Sequence, residues 1–360
     1  MSSSFVPRVT ATVDLGAIRH NLAQVRKHAP QAKVMAAIKA DAYGHGAVPV
    51  AGALRQGGVD AFAVACLEEA LVLREAGLDT PIVLLEGVLS KEEAEVSARL
   101  GLQIVVHEAW QLELLPTAPL TLWLKLDSGM NRLGFPLSSA RELHAAAAKH
   151  KAWSLAGWMT HLACADEAGN PMTPQQVQRF TDAVRGLPGA RSIANSAGLM
   201  AWPQTHADWV RPGLMLYGAS PLPGKTGAEL GLQPAMRLDT RLIAVHEVEA
   251  GASVGYGAAY RCPERMRVGV AAIGYADGVH RALPSGTPLL VHGRRVPMIG
   301  RVSMDMIALD LRTVLQARPG DGVTLWGENL PVEEIAALAG TLTYELFCGL
   351  TRRVHFIHRD

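Results

Sequence analysis

Eight short apolar runs, separated by stretches with helical periodicity, lie between residues 34 and 213. Continuous apolar strands that alternate with helices are typical of a parallel sheet covered on both faces. Eight such strands match a (β/α)8, TIM-like barrel, in which the sheet closes on itself. A doubly wound open sheet is the alternative, but no G-x-G-x-x-G motif follows the first run to favour it. The runs span 34–39, 61–65, 81–85, 103–106, 121–127, 154–161, 191–196 and 209–213.

The pattern changes at residues 220–234, which are rich in glycine and proline. Short, turn-bounded β runs follow, with one helix predicted over 331–340 by its proline start and glycine end. We therefore expect a barrel over residues 8–230 and a smaller, mostly β domain over 231–360. An alternating segment, 8–14, predicts a further strand, so that residues 1–13 can join either domain.

Composition excludes several classes of protein. The 360 residues carry a formal net charge of +1, so no bulk electrostatic field favours binding to nucleic acid or to an acidic membrane. Four scattered cysteines without a C-x-x-C pair argue against a zinc ribbon or a disulfide framework, and a reducing cytoplasm is the simplest compartment. No uncharged run approaches membrane-spanning length.

Barrel enzymes place their active site at the carboxyl ends of the strands, and often bind phosphate in the loops after strands seven and eight. The strand list therefore predicts a site. A lysine, a histidine, an arginine and a serine-plus-glycine phosphate-binding site are expected at one mouth. The strand-end residues are Lys39, Asp127, His161, Asn195, Ser196, Arg211 and Gly213.

Lys39 and Lys125 are the two lysines whose positions are most closely determined by the apolar runs, because one ends a run and the other lies within one. Lys39 follows residues 34–38 (VMAAI) without a break, and a partly desolvated lysine is a usual means of forming a Schiff base with a carbonyl. Lys125 lies between Leu124 and Leu126, so strand alternation points it away from both. Inside the barrel it would need an acidic partner, the commoner explanation, or a modification that turns the amine into an anion.

The other candidates also have purely structural interpretations. His161 can be a hydrogen-bonded core histidine, Ser196 can belong to a helix cap, and Arg211 can be a surface ion-pair partner. In the second domain, Tyr256 and Tyr275 stand at glycine-flanked turns, where tyrosine is usually amphipathic packing. Two C-terminal histidines, at 355 and 358, lack carboxylate or cysteine partners nearby, so we predict no metal site.

Eight stretches, in order across nearly the whole chain, resemble the alanine racemases, which are pyridoxal-phosphate enzymes of fold type III. Any one of them would be suggestive, whereas eight collinear ones are highly specific. The stretches are AAIKADAYGHG at 36–46, DSGMNRLGF at 127–135, HLACADE at 161–167, ANSAG at 194–198, VRPGLMLYG at 210–218, VGYGAAY at 254–260, IGYADG at 273–278 and GRVSMDM at 300–306.

This resemblance implies a cofactor site. Lys39 would carry pyridoxal 5'-phosphate, and Arg211 would lie against its pyridine nitrogen. His161 would support Arg211 or the catalytic tyrosine. The groups implied for the phosphate are Ser196, the backbone of Gly213 and Leu214, and the hydroxyls of Tyr43 and Tyr344.

The resemblance also implies racemisation of L-alanine and D-alanine by two bases in a homodimer with shared active sites. Lys39 would act on the D side, and Tyr256 of the second subunit would act on the L side. The substrate pocket would be bordered by Arg132, Met304, Tyr275 and Asp305. Serine as a second substrate, and a role in wall-precursor (peptidoglycan) supply or in alanine catabolism, stay open.

Lys125 corresponds to a lysine that is carbamylated in many of these relatives, and a carbamate could pair with Arg132.

Three competing classes of protein differ from the alanine racemases at particular residues or domains. A pyridoxal-phosphate decarboxylase of basic amino acids usually has an acid at the pyridine nitrogen, where this chain offers Arg211. A non-catalytic pyridoxal-phosphate carrier lacks the second domain with Tyr256. A barrel with a merely structural Lys39 would bind no cofactor.

Overall fold

The computed structural model describes residues 6–360, which divide into two compact units. The barrel unit comprises residues 18–216 and 220–224. The β unit comprises residues 6–17, Tyr217–Ala219 and Lys225–Asp360. Within residues 6–360, no helix is both long and apolar enough to cross a membrane.

Eight parallel strands of the described chain close into a barrel, in the order β2-β3-β4-β5-β6-β8-β9-β10, and β10 pairs with β2 again. All eight lie on the predicted apolar runs, so the TIM-like barrel is confirmed. The strands, after β1 (Thr10–Asp14) of the β unit, are β2 (Lys33–Ala37), β3 (Ala61–Val64), β4 (Ile82–Leu84), β5 (Gln103–Val106), β6 (Leu120–Asp127), the short β7 (Phe135–Pro136) beside β6, β8 (Trp153–Met159), β9 (Ala190–Ser192) and β10 (Trp209–Val210).

Helices follow most barrel strands, as expected when a parallel sheet is covered on its outer face. Asp14 caps the first helix, because its Oδ1 accepts from the backbone of Ala17 at 2.8 Å. The helices up to the end of the barrel are α1 (Leu15–His28), α2 (Lys39–Gly44), α3 (Ala47–Gln56), α4 (Leu67–Glu75), α5 (Lys91–Arg99), α6 (Ala109–Leu114), α7 (Ala140–Lys149), α8 (Met172–Ala183) and α9 (Ser196–Ala201).

Side chains from successive strands form a core cluster in the barrel unit, and Trp123 belongs to it. Trp123 packs edge-to-face on Trp209, with ring centroids 5.8 Å apart. Lys125 is two residues further along β6, so it lies on the same face of the strand as Trp123. The face of β6 that holds the apolar cluster therefore continues to Lys125 and then to Asp127 at the carboxyl end of the strand.

The β unit contains an eight-stranded, mostly antiparallel sheet in the order β14-β17-β16-β15-β18-β11-β1-β19, with β14 also paired to β11, and a small β12–β13 hairpin. The smaller, mostly β C-terminal domain is thus confirmed as a fold class. Its elements are β11 (Met236–Val248), β12 (Ser253–Val254), β13 (Tyr260–Arg261), β14 (Met266–Ala271), β15 (Pro288–Val291), β16 (Arg294–Ile299), β17 (Ile307–Asp310), β18 (Gly322–Trp326), α10 (Val332–Ala339), α11 (Thr343–Cys348) and β19 (His355–Arg359).

Strand β1 lies within this sheet, antiparallel to β11 and parallel to β19. It covers part of the segment 1–13 that the sequence assigned to either domain, and residues 1–5 of that segment lie outside the described residues. Among the described strands longer than two residues, β16 and β19 had no counterpart in the sequence prediction, and neither had helix α11.

Candidate active site

Lys39 stands at the start of a left-handed turn that follows β2. Residues Ala40, Asp41, Ala42 and Tyr43 all have φ between 50° and 54°. Left-handed backbone costs a non-glycine residue roughly 1–2 kcal/mol. Four such residues in succession persist only where surrounding contacts hold them, and strained backbone of this kind is frequent at functional sites.

Three side chains make hydrogen bonds that hold this turn in place. Glu69 Oε1 accepts from the backbone N–H of Ala40 at 2.6 Å, and its Oε2 accepts from Ala65 at 2.7 Å. Asp41 Oδ1 accepts from Ala47 at 2.6 Å. His45 Nδ1 donates to the carbonyl of Tyr43 at 2.9 Å. Sequence reasoning gave Asp41 and His45 no role, and Glu69 was indistinguishable from an ordinary first-turn acid of a helix.

Arg211 is buried at the end of β10 and is hydrogen-bonded to the ends of two neighbouring strands, β8 and β9. Its guanidinium donates to Ser192 Oγ at 2.6 Å and to the carbonyls of Thr160 and Ile193 at 2.5 and 3.2 Å. Burial lowers the pKa of Arg211 to about 10, so it stays charged at neutral pH. Its Nε–H has no acceptor among residues 6–360, so this donor is available to a ligand.

Further basic groups lie beside Arg211. His161 Nδ1 is 3.3 Å from Arg211 Nη2, and burial, followed by the charge of Arg211, holds the pKa of His161 well below its usual range. Lys125 is buried, and burial, followed by the charges of Arg211 and Arg132, lowers the pKa of Lys125 to about 8. A small cavity is lined by Lys125, Arg132 and His161 among others. Such a cluster suits an anionic ligand.

Ser196, Gly213 and Tyr43 meet on the same unit. Ser196 Oγ accepts from the backbone N–H of Gly213 at 2.8 Å. A Cβ on Gly213 would lie 2.5 Å from the Tyr43 hydroxyl, so only glycine leaves room for that hydroxyl. Leu214 is the next, buried residue. The cap of α9 is Asn195, whose Oδ1 accepts from Gly198 at 2.9 Å, and this leaves Ser196 Oγ available to its neighbours.

The remaining predicted residues lie on the β unit. Tyr256 follows the β12 strand between two glycines with positive φ, and 71% of it is exposed. Tyr275 and Met304 are also exposed, by 41% and 52%. Tyr344 is an exposed residue of α11, and Asp305 forms an ion pair with Arg353 at 2.7 Å.

The structure therefore assigns the predicted residues to two sets, one on each unit. The barrel unit brings together Lys39, Tyr43, Lys125, Arg132, His161, Ser196, Arg211, Gly213 and Leu214. The β unit carries Tyr256, Tyr275, Met304, Asp305 and Tyr344.

Comparison with known proteins gives matches along almost the whole chain. Two family models match, those of the alanine racemase N-terminal domain over residues 13–221 and of the alanine racemase C-terminal domain over residues 235–358. Alanine racemase of Nitrosococcus oceani is 53% identical over 350 residues, which cover 96% of this chain and 97% of the relative.

Solved structures agree with the sequence matches. The crystal structure of biosynthetic alanine racemase from Pseudomonas aeruginosa has a TM-score of 0.95 and 46% identity, and the match covers 99% of this chain and 100% of the other. Alanine racemase from Bartonella henselae, solved with covalently bound pyridoxal phosphate, has a TM-score of 0.89 and 28% identity, covering 98% of this chain and 100% of the other.

Proposed function

The chain belongs to the alanine racemase family, an enzyme family, and we propose that it interconverts L-alanine and D-alanine with pyridoxal 5'-phosphate by a two-base mechanism. The observation that carries the proposal is the position of Lys39. Its left-handed turn stands at the carboxyl end of a barrel strand, on the unit that also contains the Arg211 cluster and the Ser196–Gly213–Tyr43 group. An amine, a buried cationic cluster and a hydroxyl-rich anion site are what an aldehyde-bearing aromatic phosphate requires.

The residues fit this cofactor. Lys39 Nζ would attach to it covalently, and in the Bartonella henselae relative pyridoxal phosphate is covalently bound. Ser196 Oγ, the backbone of Gly213 and Leu214, and the hydroxyls of Tyr43 and Tyr344 would hold the phosphate. The space that a Cβ on Gly213 would fill supports this assignment, because it keeps the Tyr43 hydroxyl accessible. His161, neutral through burial, would support Arg211 without adding charge.

When bound, pyridoxal phosphate withdraws electrons from the Cα of an amino acid and so eases removal of its proton. The chain's own residues must then supply and accept that proton on opposite faces. Lys39 Nζ would take or return the proton on the D side. Tyr256 Oη, from a second copy of the chain, would do so on the L side. Racemisation needs two such groups, because a single base would return the proton to the face it left.

Arg211 is proposed to limit the reaction to racemisation. Its unoccupied Nε–H would donate to the pyridine nitrogen, and a guanidinium that stays charged at neutral pH would not pass a proton to it. By keeping that nitrogen unprotonated, Arg211 would weaken the electron withdrawal that the cofactor supplies and so disfavour side reactions such as transamination. A decarboxylase of basic amino acids, the competing class, would instead be expected to have an acid at this position.

Substrate binding is assigned to groups on both units. Arg132 would bind the carboxylate of the amino acid, a pairing that a guanidinium makes with two parallel hydrogen bonds. Met304 and Asp305 would border the pocket of the partner subunit, and Tyr275 would narrow its entrance. This arrangement favours small side chains, alanine before serine and bulky residues.

Lys125 is proposed to be carbamylated. It is buried and has no hydrogen-bond or ion-pair partner in the described part of the chain. With a pKa of about 8, part of its amine is neutral at physiological pH. The neutral nitrogen would attack the carbon of CO₂ and release one proton, which gives a carbamate anion able to pair with Arg132. Intact mass of the native protein, with a Lys125→Gln variant as the reference, tests for the adduct.

Exposed apolar side chains support a homodimer with shared sites. Tyr256, Tyr275 and Met304 are large, exposed side chains of the β unit, and such groups mark interaction surfaces. In the proposed dimer, the barrel mouth of a second copy would cover these side chains. Tyr256 would then join an active site in which Lys39 of that second copy is the other base.

The proposal is tested by assaying the purified protein with pyridoxal phosphate on both enantiomers of a panel of amino acids. We expect alanine to reach an equal mixture from either side, slower conversion of serine, and no conversion of bulky substrates. Carbon dioxide release from basic amino acids without racemisation would identify a decarboxylase and contradict the proposal. A protein that acquires cofactor absorbance but converts nothing would be a carrier.

A further inference from the structure

Two loops of the β unit, residues 273–279 and 301–306, are joined to each other by backbone hydrogen bonds. The backbone N–H of Tyr275 donates to the carbonyl of Ser303, and that of Ala276 donates to the carbonyl of Met304, both at 3.0 Å. A Cβ on Gly274 would lie 2.3 Å from the Met304 carbonyl oxygen, so the close approach of the loops requires glycine there. Tyr275 and Met304 are therefore positioned relative to each other by backbone contacts.

Arg353 joins the two loops through their carboxylates. Its Nε lies 3.0 Å from Asp277 Oδ1, in the first loop, and its Nη2 lies 2.7 Å from Asp305 Oδ1, in the second. Asp277 is buried, and its other oxygen accepts from the backbone of Gly274 at 2.9 Å. We call these three residues, Arg353, Asp277 and Asp305, the Arg353 bridge.

Neighbouring groups fix the bridge to the rest of the unit. Arg8 donates from Nη2 to the Asp305 carbonyl at 3.0 Å. Thr351 Oγ1 donates to the Ala276 carbonyl at 2.7 Å, two residues before Arg353. The arginine therefore leaves a backbone segment that is itself bonded to the first loop. A planar guanidinium can hold both carboxylates at once, whereas the point charge of a lysine cannot reproduce this fork.

We propose that Arg353 is a positioning residue that sets the substrate size limit, by holding Tyr275 and Met304 at a fixed separation. The inference rests on the proposed function, in which these two side chains border the substrate pocket. Both side chains are partly exposed on this unit, by 41% for Tyr275 and 52% for Met304, so packing covers only part of each. Their placement therefore depends on the loop backbones, and Arg353 is the side chain that ties one loop to the other.

The variant Arg353→Gln removes both ion pairs. We expect KM for alanine to rise about tenfold while kcat changes less than about twofold, because the bases and the cofactor site are untouched. The preference for alanine over 2-aminobutyrate, which is one methylene larger, should fall by about tenfold, within the range that one methylene can contribute. Arg353→Lys should give an intermediate loss, and it serves as the test if the glutamine variant does not fold.

Arg312→Gln is the matched control. Arg312 also joins two carboxylates, Asp310 and Glu264, and its exposure of 36% is close to the 40% of Arg353. Arg312 contacts neither loop, so its loss should lower stability without changing substrate selectivity. Equal shifts of selectivity in the two variants, or no shift in Arg353→Gln, would overturn the proposal.

Hydrogen–deuterium exchange of the holoenzyme gives a readout that does not depend on activity. The amides of Tyr275 and Ala276 should exchange faster in Arg353→Gln and at the wild-type rate in Arg312→Gln. Unchanged exchange in Arg353→Gln would refute the bridge even in an active racemase. Faster exchange in Arg353→Gln, together with a wild-type chain that racemises nothing, would instead place the failure in the proposed function.

Discussion

The barrel mouth and the loops of the β unit differ in how far their predicted site residues are buried. At the barrel mouth, Arg211, Lys125 and Ser196 are buried and either hydrogen-bonded or clustered with other basic groups. On the loops, Tyr256 and Met304 are exposed and apolar surface faces outward. Under the proposed function, the first region is an anion site whose groups are already in place, and the second is a surface for a second copy of the chain. The chemistry of the first region would then depend on its own strands, and that of the second on dimer formation.

This difference between the barrel mouth and the loops predicts that substitutions in the two regions impair different steps of the reaction. Changes at the barrel mouth should affect cofactor attachment and both directions of proton transfer. Changes on the loops should affect one face of the substrate or its size limit and leave the cofactor in place. The strongest effect of all should come from Lys39, where attachment and proton transfer depend on one amine.

Lys39→Ala should abolish covalent cofactor attachment and reduce racemisation by roughly 10³-fold or more, because the proposed function makes this amine both attachment point and base. Visible absorbance of the purified protein and the rate of D-alanine formation are the measurements. Lys33→Ala is the control, at the opposite end of the same strand, where the Lys33 ammonium lies 5.4 Å from the Trp209 ring centroid. Loss of activity in both variants would show that the strand itself, rather than the Lys39 amine, was disturbed.

Tyr256→Phe should slow proton removal from L-alanine by about 10²–10³-fold, within the range for one general base. Exchange of the Cα proton of D-alanine with deuterated solvent should persist, because Lys39 is intact. Tyr260→Phe is the control on the same hairpin, where the hydroxyl contacts only Met266 Sδ at 3.6 Å among described residues. Equal loss of exchange from both enantiomers in Tyr256→Phe would contradict the assignment of faces.

Glu69→Gln should weaken cofactor binding about tenfold, because an amide offers one acceptor oxygen to the two backbone donors that Glu69 now serves. The left-handed turn would lose a contact that holds its strained backbone. Titration of the apoprotein with pyridoxal phosphate, followed by absorbance, measures the change. The neighbouring Glu68→Gln is the control, and equal weakening by both would point to a general charge effect.

The pKa of Lys125 predicts a pH dependence of stability in the unmodified apoprotein. Burial lowers this pKa to about 8, from 10.5 in the unfolded chain. Between these values the unfolded state binds more protons, so stability rises with pH, by about 1 kcal/mol between pH 7 and pH 9. Urea unfolding in CO₂-free buffer measures it. Lys125→Met should lack this increment, and an identical pH profile in both proteins would contradict the burial of a charged amine.

Much of the barrel could be predicted from sequence, because strands buried on both faces are continuous apolar runs. The strands that were not predicted show where prediction from local sequence pattern fails. Strand β16 begins with two arginines and its apolar part contains Pro297, which is unusual inside a strand. In β19 only the adjacent Phe356 and Ile357 are apolar. The pairing of both strands comes from tertiary context that local pattern does not carry.

The candidate site also combines residues that the sequence could predict with residues that it could not. Strand ends located Lys39 and Arg211, and alternation singled out Lys125 as an amine that would need a partner or a modification if it faced the barrel interior. The left-handed turn could not be predicted, because Ala40, Ala42 and Tyr43 have no preference for positive φ and only Asp41 is of a type enriched there. The roles given to Tyr256 and Met304 came from the resemblance alone, since exposed loop residues have no periodicity to interpret.

The central claim is that one active site contains Lys39 of one subunit and Tyr256 of another. Mixed dimers of Lys39→Ala and Tyr256→Phe chains, prepared by co-expression, test it directly. If sites are shared, each mixed dimer has one intact site, and a random mixture should recover up to about a quarter of wild-type activity from two impaired parents. If Lys39 and Tyr256 of the same chain act together, the mixture should show no more than the average activity of its parents, and sharing of the site between subunits would be contradicted.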